Sequence, residues 1–446
     1  SLTGEDPRLC YQCRKCTSGC PVAEQSDLSP HQVMRALQLG LAERALSSRM
    51  VWLCLSCQIC SSRCPQGIDV ASVMDALKML GLKAGLKPAV PEVEVFSRAG
   101  LISLKYLGRM YELGVIAAYN LGTRQPLKDL ELGASLVSRG NLRLLPSFVG
   151  RRPYRPPEVA RQPRPDSVAF YPGCSLHSTA QDYGVSIKAV AGRLGLRLEE
   201  PKGWLCCGSK PASWSSPTLA AEYPMRNLAL VSEMGHRTVS TPCAACYSRF
   251  RHAIHQVGES EELAERVAGE TGYRYDGVVV ESLVETVDRL VGWRRLAGLV
   301  ERPLGGLRVA CYYGCLMTRP ARLTGAADAE NPLGMDRLVG ALGAEVVDWA
   351  YKTECCGGSH GVSRSDVAAG LTRRVLEAAA AAGAEVVVTS CPLCHLNLDG
   401  RQWQALRREG GKPLPVLYFT QLMGLALGLT AKDVALDKLL VDARPV

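Results

Sequence analysis

Two cysteine doublets followed by glycine, Cys355-Cys356-Gly357-Gly358 and Cys206-Cys207-Gly208, decide how this sequence is read. Neighbouring thiolates repel each other, and a disulfide between adjacent residues would be strained. A doublet becomes favourable when both sulfurs bind one metal centre and glycine lets the backbone turn closely around it. Each doublet also has a cysteine upstream and a CxxC pair downstream. The two sets therefore predict two metal clusters.

The two doublets belong to a unit that occurs twice in the second half of the chain. SVAFYPGC at 167–174 matches RVACYYGC at 308–315, and VSTPCAAC at 239–246 matches VTSCPLC at 388–394. Such self-similarity is typical of a duplicated structural unit. We therefore expect two pseudo-symmetric units that carry their cysteines at equivalent places.

Each unit has five motif cysteines, whereas an ordinary cubane [4Fe–4S] cluster needs four thiolates. Five ligands indicate either an unusual cluster or a cubane with a spare thiol. Cys311 aligns with Phe170, so we expect it to be a buried free cysteine on a strand. The candidate ligands are Cys174, Cys206, Cys207, Cys243 and Cys246 in the first unit and Cys315, Cys355, Cys356, Cys391 and Cys394 in the second.

Short apolar runs precede the cysteines of each unit and predict buried strands. Strands that alternate with helices favour a parallel sheet with helices on both faces, which is an α/β fold. In such folds ligands lie at the carboxyl ends of the strands, where these cysteines follow. The predicted strands are 168–171, 238–240, 309–312 and 386–389, and the predicted helices include 186–196 and 368–382.

The start of the chain contains two cysteine runs of the form CxxCxxCxxxCP. Bacterial two-cluster ferredoxins have this spacing, and in them the fourth cysteine of each run binds the other cluster. Zinc sites use cysteine pairs with a longer gap, which disfavours a zinc-based scaffold. The spacing predicts one cubane cluster on Cys10, Cys13, Cys16 and Cys64, and a second on Cys54, Cys57, Cys60 and Cys20.

The segments around these runs have helical spacing. Ser29 and Pro30 have the residue types of an N-cap and a first helical position, and Gly40 has that of a stop. A second helix is expected from Val70 to about Leu82. These features predict an all-helical two-cluster ferredoxin domain rather than a β-rich one.

The expected organisation has four parts. The second part lacks cysteine, and we expect helices from about Glu92 to Asn120, a Pro/Arg-rich linker from Pro146 to Pro165, and no chemistry. The expected parts are the ferredoxin domain at 1–88, a helical extension with its linker at 89–165, and the two cysteine-rich units at 166–300 and 301–446.

Composition excludes several classes of protein. The 19 cysteines fall in CxxC-type clusters, which indicates metal binding in a reducing, cytoplasmic compartment rather than a disulfide framework. No signal peptide is recognisable, and the longest apolar stretch carries Lys105, Arg109 and Glu112, so no membrane span is expected. Prolines interleave the arginines between Arg139 and Arg164, which favours a solvated linker or a strip for an acidic partner over nucleic-acid binding.

The duplication suggests a chemical role. Breaking a disulfide takes two electrons, whereas iron–sulfur clusters pass electrons singly. Two facing centres could each supply one electron and each capture one sulfur, so we expect the substrate between the two doublets. The candidate catalytic residues are Cys206, Cys207, Cys355 and Cys356.

These motifs resemble heterodisulfide reductase. The repeat is similar to the B subunit with its two CCG domains, and the N-terminal part is similar to the C subunit. The second match continues through YELG at 111–114, YN at 119–120 and PLKD at 126–129. The C-then-B order within one chain resembles the D subunit.

The resemblance implies a non-cubane [4Fe–4S] cluster on the five cysteines of each CCG domain. It further implies reduction of the mixed disulfide of coenzyme M and coenzyme B, the substrate in methanogens. Electrons would come from a flavin-containing A subunit, which bifurcates electrons in cytoplasmic complexes and works with a hydrogenase or formate dehydrogenase module. The D subunit takes electrons from a membrane cytochrome instead, but residues 126–129 resemble the C subunit of soluble complexes and favour that form.

Other residues and a second function stay open at this point. His177, Lys210, His360 and His395 lie near cluster cysteines and could donate a proton or hold the cluster by hydrogen bonds. Arg319 and Lys352 could meet an anionic substrate or be solvated. The alternative function is electron transfer alone, between a flavoprotein and another redox partner or a membrane quinone or cytochrome. Complete cysteine sets in both units favour catalysis.

Overall fold

The computed structural model describes residues 4–156, 162–406 and 412–443. An all-helical N-terminal part is followed by two four-stranded parallel sheets with helices around them. The expected combination of an all-α part and two α/β units with parallel strands is confirmed. Within the described residues no helix has both the length and the apolar character needed to span a bilayer.

The ferredoxin part is built from short helices. Ser29 and Gln32 form a capping box at the start of the second one, with Pro30 at its first position, as predicted. The helix that follows the second cysteine run begins behind Asp69, whose carboxylate accepts a hydrogen bond from the Ser72 amide at 3.0 Å. The helices are α1 (Lys15–Ser18), α2 (Pro30–Gln38), α3 (Ala42–Leu46), α4 (Arg49–Leu53), α5 (Ile59–Ser62) and α6 (Val70–Lys83).

The helical extension comprises α7 (Pro91–Leu107), α8 (Glu112–Gly122) and α9 (Leu130–Ser138). The predicted helical region is present, but it breaks at Gly108, which has a φ of 71°. A Cβ atom there would lie 2.4 Å from the Val149 carbonyl oxygen, so only glycine allows this close approach. The described residues of the Pro/Arg-rich segment form no helix or strand, and its positions 157–161 lie outside the described residues.

The first cysteine-rich unit has the strand order β2-β1-β3-β4. Its strands are β1 (Ser167–Phe170), β2 (Arg197–Glu199), β3 (Thr238–Thr241) and β4 (Val279–Ser282). Its helices are α10 (Gly173–Leu176), α11 (Gln181–Arg193), α12 (Ser209–Ser215), α13 (Pro217–Glu233), α14 (Ala244–Glu259), α15 (Glu261–Thr271), α16 (Leu283–Leu290) and α17 (Trp293–Gly298).

The second unit repeats this order as β6-β5-β7-β8. Its strands are β5 (Arg308–Tyr312), β6 (Glu345–Val346), β7 (Val386–Thr389) and β8 (Val416–Tyr418). Its helices are α18 (Ala321–Thr324), α19 (Gly334–Ala341), α20 (Ser365–Ala381), α21 (Pro392–Gly400), α22 (Gln402–Leu406) and α23 (Phe419–Ala426). All four predicted strands are present, and the two predicted helices correspond to α11 and α20.

The two units share one core. Helix α11 of the first unit packs against α23 of the second. The rings of Tyr183 and Tyr418 stack with centroids 3.8 Å apart, and the hydroxyls of Ser186 and Thr420 are 2.7 Å apart. Apolar side chains from both sheets, including Phe170 and Val309, belong to the same buried cluster. The duplicated units are therefore packed as one body.

The N-terminal part is fixed to the second unit. The His360 ring, in the loop after the doublet, donates from Nε2 to the Leu53 carbonyl at 3.0 Å. The Arg401 guanidinium binds the Asp129 carboxylate through two hydrogen bonds of 2.9 and 3.0 Å. Cys355 itself lies in the apolar core of the ferredoxin part. These contacts hold the ferredoxin cysteines against those of the second unit.

Candidate metal centres

The cysteines of the first unit follow the carboxyl ends of β1, β2 and β3. Their sulfurs form a series of neighbours in the order Cys174, Cys206, Cys207, Cys246, Cys243. The hydrogen bond with Cys174, together with burial, raises the pKa of Cys206 well above that of a free thiol. Gly173 has a φ of 73°, and a Cβ atom there would come within 3.2 Å of the Cys246 sulfur.

The second unit reproduces this arrangement. The sulfurs of Cys315 and Cys355 are 3.9 Å apart, and the Cys394 thiol contacts those of Cys356 and Cys391. Gly314 is the counterpart of Gly173, with a φ of 68°, and a Cβ atom there would clash with the Cys394 sulfur at 2.9 Å. Cys311 is fully buried within β5, as expected of a core cysteine.

A buried tyrosine supports each doublet from behind. The Tyr171 hydroxyl donates to the Leu205 carbonyl at 2.8 Å, and the Tyr312 hydroxyl donates to the Glu354 carbonyl at 2.7 Å. Each of these carbonyls belongs to the residue before a doublet. We did not predict this role, although the repeat aligns the two tyrosines and could have indicated it.

The two cysteine sets approach each other through their CxxC pairs. The thiols of Cys243 and Cys391 interact, and this contact contributes most to lowering the pKa of Cys391. Both residues occupy the N-cap position of a helix, α14 and α21, without a capping hydrogen bond from the side chain. The CxxC pairs thus provide a sulfur contact between the two units, and the expectation that the substrate lies between the two doublets stays a prediction.

In the ferredoxin part, Cys20 lies with the second run although it belongs to the first. Its pKa is raised by burial and by the nearby Cys57, Cys54 and Cys16 thiols. Cys20, Cys54, Cys57 and Cys60 line one small apolar cavity. Burial and the nearby Cys10 and Cys13 thiols likewise raise the pKa of Cys16, so these three sulfurs of the first run lie close together. Cys64 is half-buried beside the same core.

One sulfur contact joins the ferredoxin part to the second unit. The thiol of Cys355 hydrogen bonds to that of Cys57 and lowers the pKa of Cys57 to about 7. Neighbouring sulfurs thus lead from the second ferredoxin run to the second unit, and from there through Cys391 and Cys243 to the first unit.

A cavity of about 310 Å³ opens onto the first unit. All five motif cysteines of that unit line it, whereas within the described residues those of the second unit do not. The helical extension, for which we expected no chemistry, contributes to its wall. The Met110 amide donates to the Cys174 sulfur at 3.4 Å, and Glu112 accepts from the Ser175 hydroxyl at 3.1 Å. The extension therefore shapes the site.

Most of the additional candidate residues have structural partners. Arg319 is fully buried and donates to the Thr353 carbonyl, and Lys352 pairs with Asp336 at 2.6 Å, so neither meets a substrate. His395 is held by the Val416 carbonyl at 2.9 Å. Burial lowers the pKa of His360 to about 3 and that of His395 to about 4, so both rings are neutral. His177 pairs with Glu200, and Lys210 lines the cavity.

The donor sets suit iron–sulfur clusters better than single metal ions. Among the described residues no three cysteine, histidine or carboxylate side chains converge as ligands of one ion. A four-iron cluster places its thiolates on different iron atoms, so its ligands surround the cluster instead of converging. Crowding and burial raise the pKa values of these thiols and so disfavour free thiolates. Binding to a metal stabilises the thiolate form.

Comparison with known proteins agrees with this division. The cysteine-rich domain CCG matches residues 168–251 and 309–399, and the 4Fe-4S dicluster domain matches residues 9–69. Over 280 residues the chain is 35% identical to the 8-methylmenaquinol:fumarate reductase membrane anchor subunit of Wolinella succinogenes. That match covers 62% of this chain and 97% of the relative.

Two heterodisulfide reductase subunits are also similar to this chain. The B subunit of the ferredoxin/F420H2-dependent CoB-CoM heterodisulfide reductase of Methanosarcina acetivorans is 28% identical over 61% of this chain and 92% of its own length. The iron-sulfur C subunit of the CoB–CoM heterodisulfide reductase of Methanopyrus kandleri is 37% identical over 18% of this chain and 41% of its own length.

Proposed function

This chain belongs to the cysteine-rich (CCG) domain family of iron–sulfur redox subunits, in a form that joins C-like and B-like parts of heterodisulfide reductase, and we propose that it reduces a small-molecule disulfide. The reaction consumes two electrons and two protons, breaks the S–S bond and releases two thiols. The coenzyme M–coenzyme B heterodisulfide or an analogue is the proposed substrate.

The series of neighbouring sulfurs is the observation that carries this proposal. It joins Cys57 to Cys355 and Cys391 to Cys243, so the second ferredoxin run, the second unit and the first unit each have a sulfur contact to the next. Electrons would enter at the ferredoxin part and reach the first unit last. The substrate would bind against that unit's cysteines, onto which the cavity opens. Gly358 and Leu393, which lie beside the second unit's cysteines in the sequence, line the same cavity and would bring the substrate towards the second unit.

The proposed cofactors are two cubane and two non-cubane [4Fe–4S] clusters, which pass electrons one at a time when bound. The ferredoxin cysteines would hold the cubanes in the sets Cys10, Cys13, Cys16, Cys64 and Cys54, Cys57, Cys60, Cys20. Each five-cysteine set would hold a non-cubane cluster, with Cys206, Cys207, Cys355 and Cys356 as the catalytic cysteines. The glycines beside Cys174 and Cys315, which leave room for the opposite sulfur, support these sets.

The relatives are subunits of redox complexes, so we propose that this chain also works with partners. The proposed electron donor is a flavin-containing A-type subunit together with a hydrogenase or formate dehydrogenase module. The proposed domain limits are 1–88, 89–165, 166–300 and 301–446, and the third limit is supported by residues 162–166, which form no helix or strand before β1.

The test is anaerobic turnover of the coenzyme heterodisulfide by the cluster-loaded protein with reduced methyl viologen as donor. We expect Cys206→Ser and Cys355→Ser to abolish turnover and to leave the signals of the reduced N-terminal cubanes intact in electron paramagnetic resonance. Cys311→Ser is the matched control and should retain both turnover and iron content. Persistent turnover in either ligand variant would reject the assignment.

A second candidate is electron transfer to or from a membrane quinone. Its motive is the membrane-anchor relative together with large exposed apolar side chains on the extension, beside the exposed cations Lys105 and Arg124. Lipid-facing surfaces combine apolar and basic residues in this way. The exposed apolar residues are Ile102, Tyr106, Leu121, Leu127, Leu130, Val137, Leu144, Leu145 and Phe148.

Co-sedimentation with vesicles of anionic lipid separates the two candidates. Binding that is lost in a Tyr106→Ser/Phe148→Ser variant, combined with quinol oxidation and no disulfide turnover, would favour the second. Disulfide turnover without vesicle binding would favour the first.

A further inference from the structure

The cavity extends from the cysteines of the first unit to a wall of polar side chains. Ser248, Arg249, His252 and Gln256 lie along one side of α14, starting two residues after Cys246. Helix α6 of the ferredoxin part forms the opposite wall through Asp75 and its neighbours. Lys210, from α12, lies at the same end.

Several buried polar atoms at this end have no hydrogen-bond partner within the described part of the chain. They are the Lys210 Nζ, the Arg249 Nε and the side-chain carbonyl oxygens of Gln256 and Gln58. All four residues line the cavity. Buried polar groups are nearly always paired, and a buried ammonium without a partner is strongly unfavourable. The partners must therefore come from whatever occupies the cavity.

The carboxylate closest to these cations, Asp75, attracts the Lys210 ammonium but makes no hydrogen bond to it, because its oxygens are already engaged. Asp75 accepts hydrogen bonds from the Ser56 hydroxyl at 2.9 Å and the Trp214 indole at 3.0 Å, and it lies 3.5 Å from the Lys78 ammonium. Glu112, the other carboxylate in the cavity wall, accepts from Ser175 and from the Thr179 amide.

The wall therefore has an excess of positive charge. His252 adds no charge to it, since its Nδ1 donates to the Ser248 carbonyl at 2.7 Å and burial keeps the ring neutral.

We propose that Lys210 and Arg249 form an anion-binding subsite that holds a carboxylate, sulfonate or phosphate group of the substrate. The subsite rests on the proposed function in that the ligand is the disulfide whose S–S bond reaches the cysteines. The amide groups of Gln58 and Gln256 offer further hydrogen bonds to the bound anion. The position of the subsite, between α6 and α14, makes the ferredoxin part a contributor to substrate selection.

A competing role for the two cations is to balance the negative charge of a bound cluster. The two roles differ in their dependence on the substrate. A cation that holds the substrate matters only for charged disulfides, whereas a cation that balances a cluster affects every substrate.

The test compares two disulfides in turnover by the cluster-loaded full chain. One is bis(2-sulfonatoethyl) disulfide, which is dianionic, and the other is the neutral bis(2-hydroxyethyl) disulfide. We expect Lys210→Met and Arg249→Met to raise the KM for the charged disulfide by about 10- to 100-fold, as for loss of a charged hydrogen bond, and to change the neutral one less than about twofold. Lys210→Arg should restore most of the affinity.

Lys202→Met is the matched control, because Lys202 is exposed and does not line the cavity. Equal effects on both disulfides would assign the cations to the clusters and overturn the subsite. Absence of turnover with either disulfide in the unsubstituted protein would reject the proposed function and leave the subsite to a binding measurement.

Isothermal titration with ethane-1,2-disulfonate supplies that measurement. We expect the unsubstituted holoprotein to bind this probe and Lys210→Met to weaken binding at least about tenfold. No binding to the unsubstituted protein, or equal affinities in both, would overturn the subsite.

Discussion

Removing the carboxylate of Asp75 should open the interface between the ferredoxin part and the first unit. Lys78 is fully buried, and Asp75 is its only described acidic partner. In Asp75→Asn the Lys78 ammonium still contacts the Cys54 carbonyl at 3.1 Å and the Trp214 ring at 4.0 Å. Among the described contacts, however, it no longer has a group of opposite charge. Stranding one partner of a buried ion pair costs about 3–5 kcal/mol.

This cost should appear as local opening of α6. A change of 1.4 kcal/mol is tenfold in an equilibrium, so amide exchange within Val70–Lys83 should accelerate by about 100-fold to several thousand-fold. Hydrogen–deuterium exchange of the cluster-loaded protein, read by mass spectrometry, measures it without assuming two-state unfolding. The double variant Asp75→Leu/Lys78→Met removes both charges and should exchange more slowly than Asp75→Asn.

Acid should have a related effect. Burial alone would raise the pKa of Asp75, but the ammonium groups of Lys210 and Lys78, together with the hydrogen bonds from Ser56 and Trp214, outweigh burial and lower the pKa. The carboxylate therefore stabilises the fold above the ordinary carboxyl pKa of about 4, and this stability is lost as the pH falls through the folded value. The reasoning would be refuted if α6 exchanged in Asp75→Asn at a rate within about threefold of that in the unsubstituted protein. It would also be refuted if α6 exchanged no more slowly in the double variant than in Asp75→Asn.

Three further predictions concern other contacts. Cys57→Ser should slow electron delivery from the ferredoxin part to the second unit. Freeze-quench spectra should then show reduced ferredoxin clusters while the CCG centres are still oxidised. Simultaneous reduction of the clusters and the centres would contradict this prediction. Asp129→Asn removes the Arg401 pair and should speed limited proteolysis after α8 at least about tenfold, which unchanged cleavage would disprove. Burial raises the pKa of Asp182 to about 7, so the stability contributed by its protonated form falls between about pH 4 and 7. Asp182→Asn should therefore have a higher melting temperature than the unsubstituted protein at pH 8 but not at pH 4. Equal shifts of the melting temperature at both pH values would count against it.

Local patterns predicted the parts of this fold well. The N-cap residue Ser29 and the four apolar runs before the cysteines are encoded within a few residues, and each forms the expected element. The arrangement of Cys20 beside the second run also follows from spacing alone. These features depend on short-range sterics and hydrogen bonds, which the sequence displays directly.

Features that depend on packing between distant segments escaped prediction. The contact of Cys243 with Cys391 follows from how two helix N-termini meet, and no local spacing records that angle. Helix α9 was missed because residues such as Leu130 and Val137 are exposed, so the segment lacks a clear buried face. The wall formed by Met110 and Glu112 depends on the break at Gly108, where the chain meets residue 149.

The stacking of Tyr183 on Tyr418 has a consequence for the timing of electron transfer between the two units. Hinge closure needs two bodies joined by few contacts, whereas these rings lie inside a continuous apolar core. The two cysteine sets therefore keep a fixed separation. Electron tunnelling between clusters held by these sets would depend steeply on that separation, so the fold itself would set its rate. In the proposed reaction, gating would then fall to entry and exit through the cavity.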